Sequence, residues 1–301
     1  MHLLFIDILL SLPLIGAYAM FGLGIVVTYQ ASRVLNLAHG AMAMVPAYIA
    51  YQAVQSGMPA VFGPFVGIAA GAILGVLVER VMLRSLRPKG PAVQTVGTVA
   101  VLSLLIAIAA KVFGTAALAA PNPFPKGQFH IGGGILQSSQ LGLFLVSVVV
   151  ALGFFVVFRF TDLGLAMRGA AQNRRAASLM GIDPDRTTTA AWLIAGGTAG
   201  LGGVLLAAAT SLQPYNLSLA VLAAFVAALI GGLENLPGVV VGSVVVGVVI
   251  GAVPAFGQLP LLGTLANQAG APTIFLGVVT LIVLARRGEP LVAGDIRAEG
   301  R

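Results

Sequence analysis

Long apolar blocks alternate along the chain with short polar ones. A membrane-spanning helix needs about 20 consecutive, mostly apolar residues. Runs of that kind fall at about 3–29, 35–55, 60–83, 92–113, 139–158, 187–211, 218–233, 238–256 and 271–285. The pattern predicts an all-α, polytopic transmembrane helix bundle of about eight to nine spans, forming a single domain over residues 1–301. Several runs contain Gly or Pro, which membrane helices tolerate better than soluble ones.

The polar blocks carry a second pattern. Arg33 follows the first run, and Arg84, Arg87 and Lys89 follow the third. Arg159, Arg168, Arg174, Arg175 and Arg186 lie between the fifth and sixth, and Arg286 and Arg287 follow the last. The intervening loops near 56–59, 212–217 and 257–270 have no Lys or Arg, and the longest, about 114–138, has only Lys126. Excess Lys and Arg marks cytoplasmic loops. The alternation predicts an N-terminus outside and a C-terminus in the cytosol. The first run lacks a basic leading segment and a small-residue cleavage site, so residues 1–29 are expected to be a retained helix. Loop 114–138 contains Pro121, Pro123 and Pro125 and then Gly132–Gly134, which predicts a short extended or irregular external element.

Composition narrows the function classes. Apolar residues make up 58% of the chain and charged residues 8%, against about 25% charged in soluble domains. The net charge of +7 is spent in clusters beside the apolar runs, and no nucleic-acid-binding motif accompanies it. The absence of cysteine removes disulfides, thiolate metal sites and cysteine nucleophiles. Lys89, Lys111 and Lys126 are followed by Gly, Val and Gly, so none is a P-loop lysine. No HExxH or GxSxG occurs, and His2, His39 and His130 are scattered. No catalytic constellation, metal site or bound cofactor is expected, and the chain reads as a non-enzyme. Asp7, Glu79, Arg80 and Lys111 all lie near predicted span ends. Carriers coupled to protons or sodium often show acids at mid-membrane, so this arrangement favours energy supplied by another subunit.

Three segments carry further information. In TDLGLAMRGAAQNRRAASLMGIDPDR (161–186), residues 165–180 are good helix formers. Asp162 is placed to cap this helix, Gly181 to end it in the left-handed conformation, and Asp183-Pro184 to open the next span. The segment is either a helical positive-inside loop or a docking helix for a soluble partner. In RVLNLAHGAMAMVPAYIAY (33–51), Asn36 and His39 stand at the start of a span, followed by Gly40. They either cap a helix end and bond neighbouring carbonyls, or face a gate or aqueous path. In GGLENLPGVVVG (231–242), Glu234 is the only acid between Asp185 and Glu289. It is either a solvated turn acid or a gating contact. The second and third segments each place a small polar turn before a span rich in small residues, which suggests two parallel structural halves.

These residues resemble a known family. VLNLAHGAMAMVPAYIAY is similar to the N-(F/L)-A-H-G element of permease subunits in branched-chain amino-acid ABC importers, and its His39-Gly40 pair resembles the first of the two paralogous permeases. LGLAMRGAAQNRRAASLMGID resembles the family's cytoplasmic coupling segment, and ALIGGLENLPGVVVGSVVVGVV its Gly-Gly-x-Gly-(S/N)-x-x-Gly element. The resemblance covers about residues 15–285. It implies an ABC importer permease fold that works with two cytoplasmic ATP-binding subunits, a paralogous permease or a second copy, and a periplasmic or lipid-anchored solute-binding protein. ATP is then bound by the partners alone. Carried over by position, the coupling residues are Gly164, Arg168, Ala171, Asn173, Ala176, Ala177, Gly181 and Ile182. Asn36, His39, Gly40, Glu234 and Asn235 are candidates for the translocation path or gate. Glu234-Asn235 replaces the family's usual Gly-Ser or Gly-Asn, Ala41 stands where Glu or Asp is frequent, and the usual C-terminal ending is absent. The implied cargo is a branched-chain or similar small amino acid. The alternatives are another small polar solute (an amide, urea or a sugar) or a stand-alone secondary carrier.

Overall fold

Nearly every apolar run becomes a helix in the computed structural model, which describes residues 2–131, 134–253 and 271–287. In chain order these are α1 (His2–Ser32), α2 (His39–Gln55), α3 (Gly63–Val78), α4 (Arg84–Leu86) and α5 (Pro91–Phe113). A short hairpin follows, β1 (Gln128–Ile131) and β2 (Gly134–Gln137), and then α6 (Ser138–Phe160), α7 (Asp162–Gln172) and α8 (Arg174–Leu179). The chain continues through α9 (Pro184–Ala209), α10 (Pro214–Gly231), α11 (Leu236–Gly251) and α12 (Ala271–Arg287). A π-helical turn, Glu79–Leu83, joins α3 to α4.

Among the described residues, six helical stretches are long and apolar enough to cross a membrane: Leu9–Ser32, Ala60–Lys89, α5, α6, α9 and α10. The runs expected at 35–55, 238–256 and 271–285 contain the shorter helices α2, α11 and α12, of 17, 16 and 17 residues. At 1.5 Å per residue, 17 residues reach about 25 Å, against about 30 Å of hydrocarbon. For α2 the reason is local. Residues before His39 form a turn, whose Leu35 and Leu37 amides donate to the Thr95 and Thr98 hydroxyls of α5 at 3.3 and 3.1 Å. The last residues of the 238–256 run, the loop expected at 257–270, two glycines of the hairpin turn and the tail beyond Arg287 lie outside the described residues.

Two helices form the centre. The apolar windows of α1 and α9 are 83% and 78% buried, whereas those of α5 and α6 are 11% and 22% buried. The outer helices present Phe65, Ile73, Val96 and Val149 to the surroundings. Such a surface suits lipid, in keeping with helices long and apolar enough to cross a membrane.

The tightest packing joins α3 to α9. Gly67, Gly71 and Gly75 recur every four residues, which places them on one helix face. They meet Gly200, Gly196 and the Trp192 backbone. A Cβ built on Gly200 would lie 1.9 Å from the Gly67 carbonyl oxygen, one on Gly71 2.2 Å from that of Gly196, and one on Gly75 2.1 Å from that of Trp192. The two backbones are in direct contact, the arrangement small residues permit between membrane helices. Gly242 of α11 approaches the Ala227 carbonyl of α10 in the same way, at 2.1 Å.

The hairpin realises the extended element expected within 114–138. Gln128 pairs with Gln137 and Phe129 with Leu136 in antiparallel register. The loop before it is pinned to the α9–α10 connection, where Leu118 and Leu212 exchange backbone hydrogen bonds of 3.0 and 2.9 Å. The opposite end of the bundle gathers Arg33, Arg84, Arg87, α7, α8 and Glu234.

Candidate functional site

The α6–α9 connection is built by its caps. Thr161 leaves α6 in an extended conformation, and its Oγ1 accepts from the Gly164 amide at 3.3 Å. Thr161, not Asp162, is therefore the N-cap. The helix expected over 165–180 is divided. Asn173 adopts φ −152°, and its Oδ1 accepts from the Ala176 amide at 2.9 Å, ending α7 and opening α8. The C-terminus of α8 follows the expected glycine geometry. Gly181 has φ +80°, its amide donates to Ser178 O at 3.1 Å, and the Ile182 amide donates to Ala177 O at 3.0 Å. That pair of bonds is a Schellman motif. Asp183 then caps α9, accepting from the Asp185 and Arg186 amides at 2.9 and 3.3 Å, with Pro184 in the first turn.

One face of α7 is buried through Gly164, Met167 and Ala170. Met167 enters a cluster with Leu23, Val26, Phe154 and Phe158. Gly164 abuts the Phe158 backbone, where a Cβ would meet Phe158 Cα at 2.6 Å. Arg168 donates from its guanidinium to Phe158 O at 2.6 Å, so α7 is fastened to the end of α6. Ala171 is half-buried, Ala176 exposed and Ala177 buried. The outward face is apolar and cationic. Leu165, Leu179 and Met180 are 61%, 84% and 82% exposed, and Arg175 lies beside them. Large apolar side chains so far exposed on a segment rich in arginine are a surface suited to a protein partner.

Glu234 is not a free turn acid. Its carboxylate pairs with the Arg33 guanidinium, and Gln30 Nε2 donates to the Glu234 carbonyl at 2.6 Å. Arg33 has φ +57°, and its guanidinium lies 5.7 Å from the centre of the Tyr29 ring. Partial burial alone would lower the Arg33 pKa, but the Glu234 carboxylate outweighs it and holds the guanidinium above its ordinary value. Asn235 caps α11 by accepting from the Gly238 amide at 3.2 Å. A cleft of about 230 Å³ opens here, lined by Gln30, Phe158, Arg168, Glu234 and Asn235.

Asn36 and His39 lie inside the bundle and cap nothing. Both are fully buried. Asn36 Nδ2 donates to Met42 Sδ at 3.4 Å, whereas among the described residues Asn36 Oδ1 and both ring nitrogens of His39 have no hydrogen-bond partner. The His39 ring sits against Gly24 of α1 and packs edge-on to Phe21, with centroids 6.2 Å apart. Gly24 is two turns before Ser32, so the ring lies about 12 Å below the charged end. Gly40 meets the backbone of Ser218 in α10, 2.2 Å from its carbonyl oxygen to an added Cβ. The structure thus joins His39 and Gly40 to the core, and Glu234 and Asn235 to the charged end.

A group of side chains that reading the sequence does not single out completes this end. Asp185 Oδ1 accepts from Arg87 at 2.5 Å and from Arg174 at 2.6 Å, and its Oδ2 accepts from Arg84 at 2.8 Å. Arg87 also donates to Glu79 Oε1 at 2.5 Å, and Thr189 Oγ1 donates to Glu79 Oε2 at 2.9 Å. Glu79 is 1% exposed. The available signal is an acid in an otherwise apolar run, which is costly unless paired. Among the described residues no group of three or more His, Asp or Glu is arranged to hold a metal ion.

Comparison with known proteins places the sequence in a family. No solved structure matches the chain. It is 26% identical over 248 residues to the high-affinity branched-chain amino acid transport system permease protein LivH of Escherichia coli (strain K12), covering 77% of this chain and 80% of that protein. It is 27% identical over 259 residues to the permease protein BraD of the corresponding system of Pseudomonas aeruginosa, covering 80% and 82%. It is 29% identical over 170 residues to the nucleoside ABC transporter permease protein NupC of Lactococcus lactis subsp. cremoris, covering 54% and 52%. The profile of the branched-chain amino acid transport system permease component matches residues 8–284. The chain, a multi-pass bundle of apolar helices, belongs to that permease family.

Proposed function

We propose that this chain is the membrane-spanning permease of an ATP-driven importer, and that α7 and α8 dock an ATP-binding subunit. The observation that carries this reading is the doubly capped α7–α8 elbow, fastened to α6 by Arg168 and presenting Leu165, Leu179, Met180 and Arg175 outward. In this reading Gly164 and Ala177 seat the elbow, Asn173 sets its bend, and Gly181 and Ile182 lock its exit. The charged end faces the cytosol, the N-terminus lies outside and the protein resides in the inner membrane. α2, α11 and α12 span with the six longer helices, giving eight to nine spans in two parallel halves. Two ATP-binding subunits, a second permease and a solute-binding protein complete the importer. The cargo is a branched-chain or similar small amino acid, supported by LivH and BraD. The likeness to NupC supports a nucleoside as a second cargo class.

Asn36, His39 and Gly40 line the inner part of the path, and the Arg33–Glu234 pair with Asn235 closes its cytosolic mouth. Leu179→Asp tests the docking surface. Its side chain is 84% exposed, so the fold is retained while co-purification of the ATP-binding subunit falls at least tenfold. Full co-purification would remove this surface from the reading.

A further inference from the structure

We infer that Asp185 is the positioning residue that transmits movement of the docking elbow to the paired helices α3 and α9, by holding Arg174 of α8 together with Arg84 and Arg87. This inference rests on the permease reading above.

The geometry separates two attachments of the elbow. α7 is fastened to α6 through Arg168 and the Phe158 carbonyl, 2.6 Å apart. α8 is attached through Arg174, which donates to Asp185 Oδ1 at 2.6 Å and lies 3.5 Å from Thr188 Oγ1. Asn173 divides the two helices, so the two attachments fall on different helices.

Asp185 stands in the first turn of α9 and shares its carboxylate among three arginines from two other segments. Arg87 continues the chain of contacts to Glu79, at the start of the π-helical turn that closes α3, and Thr189 of α9 returns to the same carboxylate. Below this network α3 and α9 are in backbone contact along Gly67, Gly71 and Gly75. Small residues permit this close backbone approach, and the Glu79 carboxylate ties the same two helices at their charged end through Thr189. α9 is also a central helix, 78% buried. Beside the covalent link through residues 180–183, the Asp185 carboxylate is thus a side-chain route by which a pull on α8 reaches α9 and the Arg84–Arg87 segment. A cavity of about 300 Å³, lined by Ser32, Arg33, Arg87, Gln94 and Arg174, leaves room beside the network for that displacement.

The arginines set the consequence of removing the carboxylate. Without the Asp185 charge, Arg84, Arg87 and Arg174 face one another with Glu79 as the one remaining acid of the network. Like charges at these distances repel. Arg174 then loses its ion pair, and α8 keeps its caps and its chain link to α9 but not its side-chain tie to the network.

The test uses the whole importer in proteoliposomes with its ATP-binding subunits and binding protein, measuring radiolabelled leucine uptake and ATP hydrolysis together. Asp185→Asn is expected to assemble normally and hydrolyse ATP at a rate within threefold of the parent, while leucine moved per ATP falls at least tenfold. Asp185→Glu keeps the charge and is expected to restore most of that ratio. Arg174→Gln, made on the α8 side, is expected to lower the ratio in the same direction, and adding it to Asp185→Asn to lower it no further. An unchanged ratio in Asp185→Asn overturns the inference. Loss of assembly in both Asp185→Asn and Arg174→Gln also overturns it, since the network would then hold the fold and not the coupling. If the parent importer shows no ATP-dependent uptake of leucine or a nucleoside, the permease reading itself fails, a result separable from either of these.

Discussion

Replacing Gly200 by Ala adds one methyl group at the closest approach in the bundle. The new Cβ would stand 1.9 Å from Gly67 O, 2.8 Å from Gly67 C and 3.2 Å from Gly71 Cα. Ordinary contacts between heavy atoms are about 3.5 Å, so α3 and α9 must part locally by more than about 1 Å. The obstacle is a carbonyl fixed in a helix, with no rotamer to relieve it. Overpacking costs about 1–3 kcal/mol, and the rigid obstacle places this site at about 3. The better helix propensity of Ala returns up to about 1 kcal/mol. The net loss is about 2 kcal/mol, a factor of about 30 in the unfolding equilibrium. Gly153→Ala is the control, because Gly153 is exposed on α6 and its added Cβ meets nothing within 4 Å. Reversible unfolding of both variants in mixed micelles reads the difference directly. A Gly200→Ala variant as stable as Gly153→Ala would refute backbone contact between α3 and α9.

Further predictions concern the charged end. Glu79→Gln removes a carboxylate that is 1% exposed and leaves Arg87 with Asp185 as its charged partner; weakening that charge-assisted bond is expected to cost about 1.5 kcal/mol, read by the same unfolding assay. If Arg33 and Glu234 form a gate, Arg33→Glu and Glu234→Arg each impair uptake and the double exchange restores it, whereas additive losses would deny the pair a joint role. A cysteine replacing Ser178, in a chain without cysteine, is expected to react with impermeant maleimide only from the cytosolic side of oriented vesicles. Labelling from outside would reverse the proposed topology.

Legibility in the sequence followed the range of the interaction. Apolar runs located the helices because a bilayer demands consecutive apolar residues. Asp183-Pro184 and Gly181 were readable because caps act within a few residues of themselves, and both perform the expected roles. Asn173 was hidden inside a stretch of good helix formers. Its side chain caps α8 only once the backbone has left the helix, a competition composition does not resolve. Glu234 read as a solvated acid, and its side chain is 64% exposed, but its pairing with Arg33, 201 residues away, was not visible. The Asp185 network was illegible for the same reason, its Arg84 and Arg87 contacts spanning 101 and 98 residues. Asn36 and His39 were noticed as polar residues at a span entrance, yet their depth depends on a turn held by Thr95 and Thr98 of another helix.

The central claim is that this chain conducts solute only when a separate ATP-binding subunit drives it. The most direct measurement is radiolabelled leucine uptake in proteoliposomes, with the chain alone and with the assembled importer. The account predicts accumulation that requires the ATP-binding subunits, the binding protein and hydrolysable ATP, and none by the chain alone under proton or sodium gradients. Gradient-driven uptake by the chain alone would contradict it.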